Sequence, residues 1–406
     1  MYLTDPSDSE HDGSEASEEL RGRVAAFLQA FDYEQMGRFE FLEARFDEGL
    51  AWVHFPTDLG GLGLPRSLQL VVDHAFAKAG APDNDPRRIA IGLGMAAPPI
   101  LEFGTDDQKR RFLRSLWTGK EVWCQLFSEP DAGSDLAAVS TRAELVEGTW
   151  IINGQKVWTS AAHRADWAIL IARTDPSLPK HAGLTFFLCD MSAQGVDVRP
   201  LRQLTGEAEF NEVFLTDVQI PDAFRLGRVG DGWRVANATL MSERISIGGS
   251  AAPRESGMVG VVSQTWRERP ELRTPEIHDR LLMLWTESEL ARLTGERLRQ
   301  ALAVGQPGPE GSAMKLNFAR LAQQLSGLEL ELLGAEGLRY SEWSMGLPEA
   351  VDMVGRDAGY RYLRAKGNSI EGGTSEILRN IIAERVLGMP PEARIDKDRP
   401  WKELPR

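Results

Sequence analysis

The chain has 406 residues, of which 42% are hydrophobic, and this is enough for two or three domains with a substantial core. Its formal net charge is −14 and no basic patch is apparent, which argues against nucleic acids and anionic membranes as partners. It has no N-terminal apolar signal region and no apolar run of membrane-spanning length, so we expect a cytoplasmic protein without membrane insertion. Its two cysteines, Cys124 and Cys189, form no CxxC pair and lie in apolar surroundings, which predicts buried, reduced thiols.

The first 120 residues divide into a short acidic tail and a helical region. Residues 1–19 carry seven acids and no lysine or arginine, so we expect a solvated, mobile tail. Over residues 20–120, apolar residues recur with helical spacing, as at Val24, Phe27 and Phe31. Within this N-terminal helical domain, Thr105 followed by Gln108 is the capping-box pattern that begins a helix.

Between residues 121 and 232 the pattern changes to short runs of apolar, aromatic and β-branched residues. Asn-Gly, Gly and Pro separate these runs, which is typical of strands joined by turns. The clearest runs are Thr149–Ile152, Trp167–Ile171, Leu184–Leu188 and Val213–Leu215. They predict a compact middle domain made only of β-structure.

Long helical patterns return after Trp233 and continue to about residue 390. The stretch Gly305-Gln-Pro-Gly-Pro309 interrupts them and predicts a break between two helices. Residues 391–406 are polar and rich in proline, so we expect a tail. The domain order is therefore α, β, α: a mainly α chain with a central β domain, over residues 20–120, 121–232 and 233–390.

Two stretches of the β domain carry the most informative chemistry. They are Gln125-Leu-Phe-Ser-Glu-Pro-Asp-Ala-Gly-Ser-Asp135 and Asn153-Gly-Gln-Lys-Val-Trp-Thr-Ser160. Each puts small, hydroxyl and aromatic residues around a turn, which suits a flat polar ligand, because glycine permits close approach and hydroxyls donate to ring heteroatoms. Together they resemble the flavin site of the acyl-CoA dehydrogenase family. The resemblance extends from about Leu20 to about Pro390.

The resemblance implies the acyl-CoA dehydrogenase fold, with an N-terminal helical domain, a middle β-barrel and a C-terminal four-helix bundle, and it implies FAD as cofactor. In the first motif Gln125, Phe127 and Ser128 would contact the flavin, and Ser134 would lie where the ring meets the substrate pantetheine. In the second motif Trp158 would flank the ring, with Thr159 also binding the cofactor. Ser160 would hydrogen-bond near flavin N5, where a donor stabilises the reduced ring. For Asn153-Gly154 taken alone, an ordinary hairpin turn is the better interpretation.

Two C-terminal segments resemble the remaining FAD contacts of the family. Gly372-Gly-Thr-Ser-Glu-Ile377 resembles the segment that meets the dinucleotide end, which would be bound by Thr374, Ser375 and Glu376. Leu332-Leu-Gly-Ala-Glu-Gly337, with Gly334 as the contact, resembles the loop that binds the adenine half of a neighbouring subunit's FAD.

The chain departs from the family pattern at two places near this second loop. Glu331 stands where a glutamine is usual, and Arg267-Glu-Arg-Pro-Glu-Leu-Arg273 stands where an Arg-x-x-Phe-Gly sequence is normal. Both departures concern the inter-subunit half of the FAD site. The resemblance therefore leaves a homodimer, a homotetramer and a heterotetramer open.

Two glutamates compete for the role of catalytic base, which must remove a proton α to a thioester carbonyl. Glu243, followed by Arg244, fits family members of the isovaleryl and long-chain type. Glu371 lies one residue before the position that the base occupies in other members, and one residue redirects a helical side chain by about 100°. We favour Glu243, with Glu371 as second choice. The backbone N–H of Gly372 would bind the thioester oxygen and Arg244 the CoA portion, although a lone helix glutamate is usually exposed and Arg244 could equally form a structural ion pair.

The sequence thus predicts an FAD-dependent acyl-CoA dehydrogenase that produces a trans-2-enoyl-CoA and passes electrons to an electron-transferring flavoprotein. An acyl-CoA oxidase or flavin monooxygenase would keep the fold and change the oxidant. A catalytically silent subunit of a hetero-oligomer is the non-enzymatic alternative. The six histidines have no metal-ligand spacing, so we expect no metal site. Gly92-Leu-Gly-Met-Ala-Ala97 matches a loose dinucleotide pattern but lacks the surrounding βαβ unit, and we interpret it as helix packing.

Overall fold

The first part of the chain is helical in the computed structural model. The structure describes residues 15–248, 253–304, 309, 311–349, 353, 355–394 and 396–404. The side chains of 241–248, 299 and 301–304 are not described. The N-terminal helices are α1 (Glu15–Ala30), α2 (Arg38–Asp47), α3 (Gln69–Lys78), α4 (Ala97–Phe103) and α5 (Asp106–Thr118). Helix α1 begins at Glu15, within the stretch that the sequence suggests as a tail. The earlier residues of that stretch lie outside the described part of the chain.

The helical spacing in α1 and the capping box of α5 are both confirmed. Val24 and Phe27 are buried, and Phe31 packs against Phe27 with 4.6 Å between ring centroids. At the start of α5, the amide of Gln108 donates to Thr105 Oγ1 at 3.2 Å, and the amide of Thr105 donates to Gln108 Oε1 at 3.0 Å. The interpretation of Gly92 as a packing residue also holds, since a Cβ there would lie 3.3 Å from the side chain of Leu116 on α5.

The middle of the chain forms the predicted strands, and all four apolar runs lie in them. The strands are β1 (Trp123–Leu126), β2 (Arg142–Val146), β3 (Thr149–Ser160), β4 (Trp167–Arg173), β5 (Leu184–Asp190), β6 (Val196–Leu201), β7 (Phe210–Pro221) and β8 (Arg225–Leu226). They join in the order β6-β7-β3-β2-β4-β5-β8, and β1 pairs with β4 in parallel.

The expected closure into a barrel is wrong, because among the described residues β6 and β8 form the two ends of the sheet and do not pair with each other. Strand β8 has only two residues and reaches only β5. Strand β4 instead accommodates β1 along Trp123–Leu126 and β2 at a single residue pair, Arg142 with Arg173, so the sheet branches rather than closes.

The central strands are buried on both faces. One face of β1, β4 and β5 packs with the N-terminal helices in a core that includes Trp123, Ile169 and Phe186. The opposite face, with Cys124, Leu170 and Phe187, packs inside the curved sheet against β3 and β7. Both cysteines are buried and free, as predicted, and burial raises the pKa of the Cys189 thiol to about 12. This double burial gives the loop after β1 a rigid base.

The C-terminal part is helical, and the expected α, β, α class is confirmed. Its helices are α6 (Gly232–Gly248), α7 (Met258–Glu268), α8 (Pro275–Val304), α9 (Gly311–Leu333), α10 (Ala358–Gly367) and α11 (Ser375–Ile381). Helices α7, α8 and α9 share an apolar core that includes Val262, Leu281 and Leu328. The predicted break at residues 305–309 lies almost wholly outside the described residues.

The described chain divides into two compact units, and each is described by itself. Among the described residues, the helical unit comprises 201–209 and those between 243 and 394, and the sheet-containing unit comprises 15–200, 210–242 and 396–404. The two motifs of the β domain belong to the sheet-containing unit. The glycine-rich segments of the C-terminal part belong to the helical unit.

Candidate functional site

The first motif follows directly from the end of β1. Gln125 is the third residue of the strand, and Phe127 and Ser128 come immediately after it. Phe127 is buried and packs edge-to-face against Phe186, with 5.6 Å between ring centroids. The backbone oxygen of Ser128 accepts a hydrogen bond from the amide of Val157 at 2.9 Å. This hydrogen bond joins the first motif to the second.

A tight turn then brings the first motif to the surface. Glu129 and Ala132 exchange backbone hydrogen bonds of 3.1 and 3.0 Å across Pro130 and Asp131. After this turn the chain is exposed at Ser134 and Asp135. The sequence-predicted residue Ser134 is thus available to a ligand from solvent, whereas Phe127 is part of the core.

The second motif is the end of β3, and its backbone is distorted at Trp158. The register of β3 on β7 shifts between Lys156 and Thr159, and Trp158 has a φ of 61°. This left-handed conformation costs a bulky residue about 1–3 kcal/mol and concentrates at functional sites. The indole is 60% exposed and meets Phe210 only edge-on, at 5.9 Å between centroids. An exposed aromatic face held by a strained backbone is suited to cover a flat ring.

A buried ion pair holds the two motifs together. The ammonium of Lys156 donates to Glu129 Oε1 and to the backbone oxygen of Phe127, both at 2.9 Å. The lysine side chain is fully buried, and Glu129 is 6% exposed. Glu129 Oε2 also accepts from the amide of Ser140 at 2.6 Å. This pair was not predicted from the sequence, because its two residues are 27 positions apart.

The electrostatics of this pair favour the ionised form of Glu129, whereas burial lowers the pKa of the Lys156 ammonium. Burial alone would raise the pKa of the Glu129 carboxyl, but the Lys156 ammonium and the hydrogen bonds from Thr141 and Ser140 lower it to about 2. Glu129 is therefore a permanent anion at neutral pH. Breaking a buried pair of this kind typically costs about 3–5 kcal/mol, because the remaining charge has no partner.

Two polar side-chain atoms of the motifs are buried without a hydrogen-bond partner among the described residues: Gln125 Oε1 and Thr159 Oγ1. Such atoms are rare in folded proteins and call for a partner that the protein itself does not supply. The edge of an isoalloxazine ring offers one N–H donor and several acceptors. An amide oxygen and a hydroxyl are groups that can satisfy such an edge, so the residues present fit a flavin.

In the helical unit, the segment Gly372–Ile377 begins with a loop. A buried lysine holds this loop in place. Gly372 and Gly373 have φ values of 62° and 94°, which favour glycine. Lys315 on α9 donates to the backbone oxygens of Asn368 and Gly373, at 2.8 and 2.7 Å. Thr374 caps α11, because its hydroxyl accepts from the amide of Ile377 at 3.2 Å. Ser375 and Glu376 therefore lie in the first turn of α11.

Glu371, the second candidate base, is held in an ion pair. Both of its oxygens accept from Arg364 at 2.9 Å in a bidentate arrangement. Arg364 also contacts Glu209 at 3.3 Å and is nearly buried. Burial would lower the pKa of Arg364, but the carboxylates of Glu371 and Glu209 raise it. Removing Glu371 would therefore leave a buried guanidinium with one carboxylate fewer.

The segment that departs from the family pattern forms ion pairs within the helical unit. Glu331 pairs with Arg280 at 2.7 Å, and Glu336 pairs with Arg269 at 2.8 Å. Arg267 pairs with Glu255 at 2.8 Å. Next to these charges, Gly334 follows α9 with a φ of 54°. The arginines of residues 267–273 that could have reached a neighbour's cofactor thus have partners in their own chain.

Glu243 and Arg244 both lie in the backbone of α6. Their side chains lie outside the part of the chain that the structure describes. Their roles therefore stay predictions.

Comparison with known proteins identifies three consecutive domains. The chain matches the models for the acyl-CoA dehydrogenase N-terminal domain over residues 14–120, the middle domain over 124–218 and the C-terminal domain over 230–387. Acyl-CoA dehydrogenase IpdE1 of Mycobacterium tuberculosis is 38% identical over 352 residues, which cover 85% of this chain and 86% of IpdE1. The chain belongs to the acyl-CoA dehydrogenase family.

A second curated relative is a longer protein. Acyl-CoA dehydrogenase FadE34 of Mycobacterium tuberculosis is 40% identical over 348 residues, which cover 85% of this chain. The matched region spans 45% of the length of FadE34.

Solved structures give the same fold. The ChsE4-ChsE5 complex from Mycobacterium tuberculosis matches with a TM-score of 0.69 and 26% identity, over 93% of this chain and 99% of that chain. The Tcur3481-Tcur3483 steroid acyl-CoA dehydrogenase matches with a TM-score of 0.70 and 24% identity, over 93% and 99% of the two chains. Each of these two related structures is named as a pair of proteins.

Membership of the family makes the chain an oxidoreductase of the acyl-CoA dehydrogenase class, and the family is FAD-dependent. Within the described ranges, no three His, Cys, Asp or Glu residues are grouped so that they could hold a metal ion. No helix in the same ranges has the length and hydropathy needed to cross a bilayer.

Proposed function

We propose that this acyl-CoA dehydrogenase binds FAD, converts an acyl-CoA thioester to the trans-2-enoyl-CoA, and passes the electrons to an electron-transferring flavoprotein. The observation that carries the proposal is the joining of the two motifs by the Lys156–Glu129 pair, next to a strained, exposed Trp158. Gln125 Oε1 and Thr159 Oγ1 are then buried without a partner among the described residues, and FAD would supply one. The chemistry that bound FAD would supply is that of a hydride acceptor for the β-carbon of the substrate.

The residues that hold the cofactor divide by the part of FAD that each would meet. Gln125, Phe127, Ser128, Thr159 and Ser160 would bind the edge of the ring system, and Trp158 would cover one face. Gly334, Thr374, Ser375 and Glu376 would bind the dinucleotide portion. The capped start of α11 supports the second group, since helix N-termini favour anionic phosphates.

Glu243 would remove the α-proton of the thioester. The geometry of its rival supports this assignment, because both oxygens of Glu371 already accept hydrogen bonds from Arg364. A carboxylate held in this way has to break these hydrogen bonds before its oxygens can accept a substrate proton. Glu371 is the second choice.

The acyl-CoA substrate would be bound by one backbone amide and by two side chains. The N–H of Gly372 would donate to the thioester oxygen and favour the charge that develops there. Its φ of 62° supports a dedicated loop conformation. Ser134 would contact the pantetheine and Arg244 the CoA portion.

We propose that the active form is an oligomer, either a homodimer, a homotetramer or a heterotetramer. The related structures named above, ChsE4-ChsE5 and Tcur3481-Tcur3483, are each named as a pair of proteins. The ion pairs that occupy Arg267, Arg269, Arg280 and Glu331 within this chain support a hetero-oligomer, in which a different subunit completes the adenine half of the FAD site.

The test is anaerobic bleaching of the bound flavin by a panel of linear, branched, aromatic and steroid acyl-CoA thioesters. We expect a yellow protein that releases FAD on denaturation and is bleached by at least one thioester class. A colourless protein that also refuses added FAD would overturn the proposal and favour the silent subunit. Stoichiometric peroxide formation under air would favour the oxidase.

A further inference from the structure

The C-terminal residues return to the sheet-containing unit and pair with one of its loops. Pro400 bridges Pro179 as an isolated antiparallel pair. The amide of Trp401 donates to the oxygen of Leu178 at 2.9 Å, and the amide of Lys402 donates to that of Pro176 at 3.1 Å. We call residues 396–404 the C-terminal strap. It forms ordered contacts in a segment whose composition suggests a tail.

The side chain of Trp401 covers a buried arginine and reaches the end of the first motif. The guanidinium carbon of Arg173 lies 4.6 Å from the centroid of the Trp401 ring. The indole N–H of Trp401 donates to the oxygen of Ala138 at 3.1 Å. Arg173 donates to the oxygens of Ala137 at 2.5 Å and Val139 at 3.1 Å. The stacked pair of Arg173 and Trp401 therefore binds the backbone oxygens of three successive residues, 137–139, which follow the first motif.

A second contact of the strap reaches the last residue of the first motif. The ammonium of Lys180 pairs with Asp135 at 2.7 Å and with Asp396 of the strap at 2.5 Å. Lys180 is 8% exposed, so its charge depends on these two carboxylates for compensation. Asp135, which is itself exposed, is in this way linked to the strap through one lysine.

We propose that the C-terminal strap, through Trp401 and Asp396, positions the exit of the first motif, residues 134–139. The proposal rests on the proposed function in one respect, namely that Ser134 contacts the pantetheine of the substrate. Ser134 and Asp135 are exposed, and the chain after them forms only the short turn Leu136–Ala138. Leu136 and Val139 belong to the apolar core, and the hydrogen bonds and the ion pair described above are polar contacts that connect residues 135–139 to the strap. Both strap residues are positioning residues, because they act through Arg173, Lys180 and the backbone.

The test compares four variants of the full chain. Trp401→Ala removes both the ring over Arg173 and the donor to Ala138, whereas Trp401→Phe keeps a ring. Asp396→Asn removes the charge opposite Lys180. Lys397→Ala is the matched control, since Lys397 is an exposed strap residue that faces solvent.

Two measurements distinguish the structural role of the strap from an effect on the catalytic step. Hydrogen exchange of the Ala138 and Val139 amides, measured without substrate, should accelerate at least about threefold in Trp401→Ala, because the loss of a cation–π contact and a hydrogen bond loosens the turn. In steady state, KM for the acyl-CoA should rise by roughly 3- to 20-fold while kcat changes little, since Ser134 is a binding contact. Trp401→Phe should change both the exchange rate and KM less than Trp401→Ala does. Asp396→Asn should accelerate exchange less than Trp401→Ala does.

Unchanged exchange at Ala138 and Val139 in both Trp401→Ala and Asp396→Asn would overturn the proposal, whatever the activity. An equal effect of Lys397→Ala would also overturn it. If exchange accelerates as expected but no thioester bleaches the flavin, the strap stands and the proposed function fails. Because the first readout needs no substrate, the two failures are distinguishable.

Discussion

At the scale of single residues, the choice between Glu243 and Glu371 has a direct kinetic consequence. Glu243→Gln removes the proton acceptor and keeps the shape of the side chain, so the FAD content should survive. Single-turnover flavin reduction should slow by about 10²- to 10⁴-fold, the usual contribution of a positioned general base. Glu371→Gln should slow reduction much less. It should instead lower stability, because Arg364 loses its bidentate partner.

Anaerobic stopped-flow reduction of both variants, with the melting temperature measured alongside, separates the two roles. If Glu371→Gln abolishes reduction while Glu243→Gln barely slows it, the assignment of the base is wrong. Gly372→Glu is a useful third variant, because it should crowd the acyl chain or introduce a rival carboxylate.

The buried pair of Glu129 and Lys156 gives a prediction about pH and stability. The pKa of Glu129 is lowered from its ordinary value of 4.5 to about 2. A depressed pKa contributes stability that is present above about pH 4.5 and lost as the pH falls towards about 2, by linkage about 3 kcal/mol in all. Glu129→Gln should lack this contribution, so its free energy of unfolding should lie below that of the wild type at pH 7. The gap should narrow between about pH 4.5 and 2.

Urea unfolding over this pH range measures the effect. Glu144→Gln is the matched control, since Glu144 is exposed and only 3.9 Å from the equally exposed Arg142. A double variant, Glu129→Gln with Lys156→Met, should recover part of the loss because no unpaired charge stays buried. A gap that is the same at pH 7 and pH 3 would contradict the proposed role of the Glu129 charge.

The residue types of the site could be predicted from the sequence, but their environment could not. Hydroxyls, an amide and an indole near turns indicated a flat polar ligand, and the resemblance assigned Gln125 and Trp158 to it. The left-handed backbone of Trp158 was not predictable, because it arises from a register shift between β3 and β7. The partner of Lys156 was equally hidden, since a contact between residues 27 positions apart has no local signature.

At the scale of elements, the sequence predicted those features that residues close together in the chain determine. Thr105 and Gln108 predicted the start of α5, because the capping box is made by residues three positions apart. The apolar runs predicted β4 and β5, whose every residue except Asp190 is buried. A run that is apolar at every position indicates burial on both faces. In the sequence, these two apolar runs were the evidence that a second layer of structure packs on one face of the sheet.

Closure of the sheet and docking of the C-terminal residues were not predictable in the same way. Whether a sheet closes depends on which edges pair, and the edge strand β8 has only two residues. The strap is joined to the turn that follows the first motif by a hydrogen bond between residues 263 positions apart. Its sequence is polar and rich in proline, which is the composition of a solvated tail, and only Trp401 indicates a buried anchor.

At the scale of the whole molecule, helix α8 carries an exposed apolar stripe. Leu282, Met283, Leu290 and Leu293 are 49%, 59%, 58% and 46% exposed. At 3.6 residues per turn these four positions lie within an arc of about 100°, so they share one face of the helix with the exposed Thr286. Apolar surface of this kind on a globular protein is typical of a subunit interface.

We therefore expect the purified protein to be at least a dimer, which light scattering at several concentrations would measure. Leu290→Asp puts a charge into the stripe and should shift the mass towards the monomer by raising the dissociation constant about tenfold or more, since an unpaired interfacial charge is costly. Leu290→Met keeps the apolar volume and is the matched control. If half of the FAD site comes from a second subunit, the monomeric variant should also lose FAD. A wild-type protein that is monomeric and fully active would contradict both the assembly and the shared cofactor site.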